Sequence, residues 1–269
     1  MGTDAGDTKT RILVVDSRDR DRALYPAPSK YVVELPDDVY DVVAVRLLAA
    51  DVPFASYVVN AHNRTVPVSV AGAPTAAAAV EPGDYADPQD MCQALAAALA
   101  AATGAAFAVS YPATPGADSY AISAPQPFEL RFAEAPRGAS LARVLGFDDG
   151  ATYASSPAAG GGHALRAPFR RDGSRDRYVV LDINGMDLLH SANNATHRTF
   201  AVLPGKFIDM NIDAGDDGDY AKEYAPPLAR MSRVAVQFSD YYGRPYDFQN
   251  QDHRLNLQVT YMPRRKYGM

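Results

Sequence analysis

The sequence has no tryptophan and a single cysteine, Cys92. One thiol cannot close an internal disulfide, and five scattered histidines beside it cannot make a cysteine-rich zinc site, so a reducing compartment fits. No apolar run approaches the roughly 18 residues of a membrane-spanning helix. The opening residues Met1-Gly2-Thr3-Asp4-Ala5-Gly6-Asp7 carry acids where a secretory leader needs an apolar stretch, so none is expected. A myristoylation pattern is weak as well, with no Ser or Thr at the required place beyond Gly2. Positive charge is in deficit: 26 Lys and Arg face 32 Asp and Glu, giving a net charge of −6. A phosphate backbone repels such a chain, so nucleic acid is not an expected partner.

Motifs of known chemistry are missing too. There is no Gly-x-Ser-x-Gly elbow, no Gly-Lys-Ser/Thr phosphate loop, no His-Glu-x-x-His and no Gly-x-Gly-x-x-Gly at a strand-to-helix turn. The three-glycine run Gly160-Gly161-Gly162 precedes no helix and is not a phosphate loop. No enzymatic activity and no cofactor are expected. Asn63-Arg64-Thr65 and Asn194-Ala195-Thr196 match a glycosylation sequon, a match without meaning where no leader is expected.

What is present favours β-structure. The chain carries 16 Tyr and 10 Phe, with 20 Pro and 19 Gly to punctuate it, and tyrosine suits strands and contact surfaces because an apolar ring carries a polar tip. In the first block, Ile12-Leu13-Val14-Val15 reads as a buried strand. The charged run Asp16-Ser17-Arg18-Asp19-Arg20-Asp21-Arg22 after it reads as surface, its opposite charges paired. Beyond the turn Tyr25-Pro26-Ala27-Pro28, residues Tyr31, Val33 and Leu35 share one strand face, and the dense apolar stretch Val42 to Ala50 suggests a strand buried on both faces. Tyr57 to Asn60 and Val66 to Val70 continue that sheet.

The second block holds the best-marked helix, expected at 88–103. Asp87 is its N-cap, Pro88 takes the first helical position, Met91, Leu95, Ala98, Leu99 and Ala102 recur at helical spacing, and Gly104 stops it. Strands are expected at 107–111, 119–123 and 128–132, with a short helix at 141–145. The third block returns to strands at 178–183, 199–203, 207–212, 234–238 and 255–261, the last alternating cleanly.

These patterns predict a mainly β fold: a jelly-roll-like antiparallel β-sandwich from 11–74 and 177–262, with a small α+β unit inserted at 75–147. A flexible arm is expected at 1–10, a Gly/Pro/Arg-rich linker at 148–176 and a basic tail at 263–269.

Candidate sites are few. Asp213, Asp216, Asp217 and Asp219 crowd four carboxylates into one loop and read either as an acidic solvent loop or as a calcium site; Gly215 breaks the EF-hand register. His190 and His197, near Asp182 and Asp187, read as structural histidines, their spacing matching no metal module. Arg170, Arg171, Arg175 and Arg177, and separately Arg264, Arg265 and Lys266, read as solvated charge or as docking points for an acidic neighbour.

Three blocks taken together resemble the minor capsid and penton-type structural proteins of nucleocytoplasmic large DNA viruses. They are Val15-Asp16-Ser17-Arg18-Asp19-Arg20 through Tyr57-Val58-Val59-Asn60; the module Glu81-Pro82-Gly83-Asp84-Tyr85, helix, Leu145-Gly146-Phe147; and Val236-Gln237-Phe238, Gly243-Arg244-Pro245-Tyr246-Asp247-Phe248 and Asp252-His253-Arg254-Leu255-Asn256-Leu257. The resemblance implies a non-catalytic component of an icosahedral capsid, assembled inside the host cell. It would bind the major capsid protein, other minor capsid proteins or further copies of itself. Tyr241, Tyr242, Arg264, Arg265, Lys266 and Tyr267 are then the expected contact residues, with both chain ends ordering on assembly. A glycan-recognising sandwich on a virion spike is the second expectation, supported by the tyrosine-rich loops and the acidic 213–219 segment, and an enzyme is the third, which would need a concave pocket holding converging titratable groups.

Overall fold

The computed structural model describes residues 8–112, 118–174, 176–194, 196–204, 210–211 and 220–263. The acidic cluster Asp213, Asp216, Asp217 and Asp219 and the tail residues Arg264, Arg265, Lys266 and Tyr267 lie outside them. The chain runs through β1 (Lys9–Asp16), β2 (Lys30–Asp51), β3 (Thr65–Val70), β4 (Ala76–Ala79), α1 (Pro88–Thr103), β5 (Ala108–Ser110), β6 (Ala121–Ala124) and β7 (Phe128–Arg131). It continues through α2 (Ala142–Leu145), β8 (Thr152–Ala154), β9 (Ser156–Pro157), β10 (His163–Arg166), β11 (Tyr178–Ile183), β12 (Ala201–Pro204), β13 (Met210–Asn211), β14 (Ala221–Ser239) and β15 (Arg254–Tyr261). Every strand pairing is antiparallel, and the fold is mainly β, as the residue pattern predicts.

Two compact units divide the chain, Met1–Ser56 with Asp176–Met269, and Tyr57–Arg175. In the first, a seven-stranded sheet has the order β1-β15-β2-β14-β11-β12, with β13 also pairing β2. It curls around a core that includes Tyr31, Val45, Leu47, Leu181, Phe200, Val236, Phe238, Phe248 and Leu257.

The curl is written into β2, whose inward residues are Tyr31, Val39, Val42, Val45, Leu47 and Ala50. Side chains on a regular strand alternate, so inward positions two apart are ordinary and steps of three demand an extra residue. Against β15 the register skips Val43 and Leu48, and Asp41 takes the left-handed conformation at φ 53°. Each irregularity sits inside one of the three-residue steps. The Val42 to Ala50 stretch is therefore not buried on both faces as expected. Val43, Ala44, Leu48 and Ala49 are only partly buried, and bulges move the inward parity along the strand. A similar cause hid most of β14, in which Pro226, Pro227 and register shifts at Glu223/Leu228 and Met231/Arg233 erase the alternation over its first half.

The second unit packs α1 with two four-stranded sheets, β5-β6-β10-β9 and β4-β3-β7-β8. Helix α1 has the expected bounds and caps. Asp87 accepts the Gln89 N–H at 2.8 Å, Gly104 closes the end at φ 72°, and Met91, Cys92, Leu95 and Leu99 are buried.

The boundary differs from the expected one: 57–74 belongs to this unit rather than to the large sheet. Val66 and Val68 of β3 are buried in its core, and β3 pairs with β4 and β7. Nor is 148–176 a linker, because β8 pairs with β7 and β10 with β6, completing both sheets. Arg170 meets Asp118 at 3.4 Å, Arg171 reaches the Ala86 carbonyl at 3.4 Å and Asp172 meets Arg143 at 3.3 Å, which fastens the segment down. The expected arm at 1–10 is likewise shorter at its inner end, since Lys9 and Thr10 already pair with Tyr261 and Thr260.

This packing explains the Leu145-Gly146-Phe147 motif. Gly146 ends α2 at φ 85°, accepts the Phe169 N–H at 3.0 Å, and stands so close that a Cβ there would collide with the Phe169 carbonyl oxygen. Gly146→Ala should therefore destabilise the second unit by about 2 kcal/mol or more. Asp87→Ala should cost about 1 kcal/mol. Urea denaturation followed by circular dichroism checks both; a Gly146→Ala midpoint equal to the parent's contradicts the collision.

Candidate functional site

The densest buried polar cluster among the described residues lies where β1 ends and β15 begins. Antiparallel pairing brings Asp16 opposite Arg254, so the chain leaving β1 meets the chain entering β15. One turn of 3-10 helix, Ser17–Asp19, follows β1. Asp16 caps it, accepting the Arg18 N–H at 2.9 Å and gripping the Arg18 guanidinium at 2.6 Å.

That turn aims Arg20 inward, its side chain only 1% exposed. Its Nη1 donates to the Ser17 carbonyl at 2.6 Å and to Asp252 Oδ1 at 2.7 Å, while Nε donates to the Tyr25 carbonyl at 3.2 Å. The Ser17 hydroxyl donates to the same Asp252 oxygen at 2.8 Å and accepts the His253 backbone N–H at 3.0 Å. The Ser17 N–H returns to the His253 carbonyl at 2.9 Å. Arg22 adds a looser contact to Asp252 at 3.6 Å. The expectation of a wholly solvent-exposed charged run is corrected: Ser17 and Arg20 are buried, because Asp252 and two carbonyls supply the acceptors a sequestered guanidinium needs.

His253 faces away from Ser17. Its Nε2 lies 3.0 Å from the Tyr31 hydroxyl, and the rings of Phe238 and Phe248 close over it at 4.5 and 4.7 Å. Its Nδ1 has no hydrogen-bond partner. Burial pushes the imidazole down to about 4 and the Tyr31 phenol well up. The Ser17 hydroxyl and then Arg20 hold the Asp252 carboxyl below its ordinary range, and Arg18 does the same for Asp16.

Serine, histidine and aspartate are thus neighbours without forming a proton relay. A nucleophile needs its hydroxyl on the imidazole; here the hydroxyl is committed to Asp252 and the imidazole to Tyr31. The arrangement is a clasp between the first and last strands of the chain, neighbours at one edge of the sheet.

The expected contact residues are divided. Tyr242 lies beneath the Arg244 guanidinium, 4.6 Å from its ring centroid, and Arg244 is held by Asp240 at 2.6 Å. Tyr241 is 42% exposed and meets Tyr178 edge-on at 6.4 Å. His190 and His197 do come together, ring centroids 5.4 Å apart, but His197 Nδ1 accepts the Ser191 N–H, Asp182 accepts the Gly185 N–H and Asp187 pairs with Lys222. Among the described residues no group of three His, Cys, Asp or Glu is placed to hold a metal. The loop Gly243 to Phe248 sits between β14 and β15, its Tyr246 and Phe248 buried in the core. In the second unit, the Glu81 to Tyr85 motif is pinned to the first block's Tyr57 to Asn60 by reciprocal Val59–Gly83 bonds of 3.0 and 2.9 Å.

Against known proteins, the model of a family described as of unknown function, DUF5901, matches residues 3–214. No curated protein matches. Among solved structures, the selenomethionine-labelled mavirus penton protein aligns over 96% of this chain and 100% of that one, at 9% identity and a TM-score of 0.32.

The clasp predicts two outcomes. His253 takes up a proton near 6.5 when unfolded but only near 4 when folded, so its contribution is complete above pH 6.5 and is lost as pH falls from 6.5 towards 4. Between pH 7 and pH 5 the stability should drop by about 2 kcal/mol. His253→Phe should flatten that slope, read from urea midpoints at the two values. Arg20→Met should cost about 3 kcal/mol by leaving Asp252 and two carbonyls without their donor, whereas Arg18→Ala should leave the midpoint almost unmoved.

Proposed function

Starting from the chain's membership of the family of unknown function DUF5901, we propose that it is a non-enzymatic structural component of the capsid of a large icosahedral DNA virus. It acts there as a minor capsid, cement or vertex protein, bound to the major capsid protein, to other minor capsid proteins or to copies of itself. It is assembled into the virion inside the host cell.

The observation that carries this reading is the edge strand β1. Pairing with β15 occupies one side of this eight-residue strand, and among the described residues no strand pairs with the other. Leu13 and Val15 turn towards the core, while Ile12 and Val14 stand 53% and 58% exposed on the opposite face. Solitary soluble proteins protect long apolar edges with charge, proline or a cover. Lys9 and Arg11 supply such charge to the first half of β1, whereas the Ile12 to Val15 half carries none, and an apolar stretch of this kind suits a chain that gains a neighbour's strand on assembly. The order of the three blocks and the commitment of Ser17, Asp252 and His253 to a clasp support the same reading.

Since Ile12 and Val14 are exposed, replacing both with lysine should leave the urea midpoint within about 1 kcal/mol of the parent. The same change should abolish incorporation into shells when the chain is co-expressed with the major capsid protein of its own genome and the particles are purified by sedimentation. Absence of the unaltered chain from those shells refutes the proposal; equal incorporation of both chains refutes the role of β1.

A further inference from the structure

Beside β11 and β12, residues 189–194 and 196–200 fold into a tight set of turns. Leu188 and Leu189 N–H groups both donate to the Thr199 carbonyl, at 3.1 and 3.0 Å, and the Thr199 hydroxyl donates to the Thr196 carbonyl at 3.1 Å. The Asn193 amide donates to the Tyr241 carbonyl at 2.7 Å, tying these turns to the loop after β14. Between them opens a hollow of about 250 Å³ lined by Tyr178, Leu189, His190, Ser191, Thr196, Val202 and Tyr241. That is below the roughly 300–1,000 Å³ of pockets for drug-sized ligands and suits one small ring.

Its lining combines aromatic rings with polar groups. The Tyr178 and Tyr241 rings, 75° apart, form an aromatic corner. The polar lining is the His190 imidazole, Ser191 and Thr196; the Thr196 hydroxyl donates to Ser191 Oγ at 3.0 Å, and Ser191 Oγ also accepts the Asn193 N–H at 3.0 Å, which leaves the Ser191 hydroxyl its own proton to give. Among the described lining residues none is a carboxylate, ammonium or guanidinium, so none of them selects a charged ligand. Among the described residues neither tyrosine hydroxyl nor the His190 ring has a hydrogen-bond partner, which leaves them for a guest. Burial pushes the Tyr178 phenol up, keeping it a neutral donor.

We propose that this hollow binds one neutral hexopyranose unit of a glycan. A pyranose presents a flat patch of C–H bonds to an aromatic face and a rim of hydroxyls that both donate and accept, which matches this lining. A hydrocarbon side chain would use the corner and leave the polar groups idle; an acidic sugar would meet no cation among the described lining residues. Tyr241 supplies the platform, Tyr178 closes the corner, and Ser191 and His190 read the hydroxyls, with Thr196 orienting Ser191.

The test is saturation-transfer NMR on the full chain with the methyl pyranosides of glucose, galactose, mannose and N-acetylglucosamine. A parallel arm uses N-acetyl amides of leucine, phenylalanine and proline. Transfer to the ring protons of at least one glycoside is expected, with affinity falling at least about tenfold in Tyr241→Ala. Tyr241→Phe, which keeps the platform, should retain most of the binding, and Tyr57→Ala, an exposed tyrosine of the other unit, should retain all of it. Transfer to no glycoside, transfer to the amino-acid amides alone, or glycoside binding unchanged in Tyr241→Ala each overturns the proposal. The assembly reading is tested by shell incorporation and stands or falls separately.

Discussion

A guanidinium can leave water only where acceptors already surround it, and the first unit is organised around meeting that demand for Arg20. Its acceptors come from the turn after β1, from the Tyr25 carbonyl and from Asp252, 232 residues away in sequence. They converge only when β1 and β15 are paired in register. The register in turn sends Leu13, Val15, Leu255, Leu257 and Val259 to the core. A slip of one residue would expose all five and leave a buried cation unsatisfied. The clasp and the apolar alternation enforce the same pairing, and the edge strand β1 depends on both.

The same logic extends to the aromatic ring of contacts around His253. Tyr31 enters from the start of β2, Phe238 from the end of β14 and Phe248 from the following loop, so one imidazole touches three separated segments. Histidine can serve here because a neutral ring is both compact and polar at one edge, and burial keeps it neutral. The proposed sugar hollow uses tyrosine in the opposite way. Its rings are left at the surface with their hydroxyls unengaged, whereas Tyr31 spends its hydroxyl inside.

Sequence legibility followed the range of the interaction. Helix α1 was readable to the residue because cap, first-turn proline, apolar spacing and terminal glycine are all decided within one segment. Strands β11 and β15 were readable from composition and alternation. The first half of β14 was not, because two prolines and two bulges destroy a period-two signal while leaving the backbone extended. Val66 to Val70 is legible as a strand but its sheet is not, since alternation tells which face is buried and never which neighbour buries it. Of the clasp, Asp16 to Arg20 and Asp252 to His253 stood out as separate motifs; nothing local to either indicates that they meet.

The sequence by itself determined that the chain is mainly β, that one capped helix interrupts it, and where most of its strands lie, because propensity, capping and alternation act over a few residues. Only the tertiary structure decided which strands share a sheet, where the two units divide, that Arg20 is buried rather than solvated, and that Tyr178 and Tyr241 face one another. Those outcomes depend on pairings between residues as far apart as Lys9 and Tyr261, at opposite ends of the sequence, and in such pairings the free energy lies in the register of two distant strands, which neither strand carries alone.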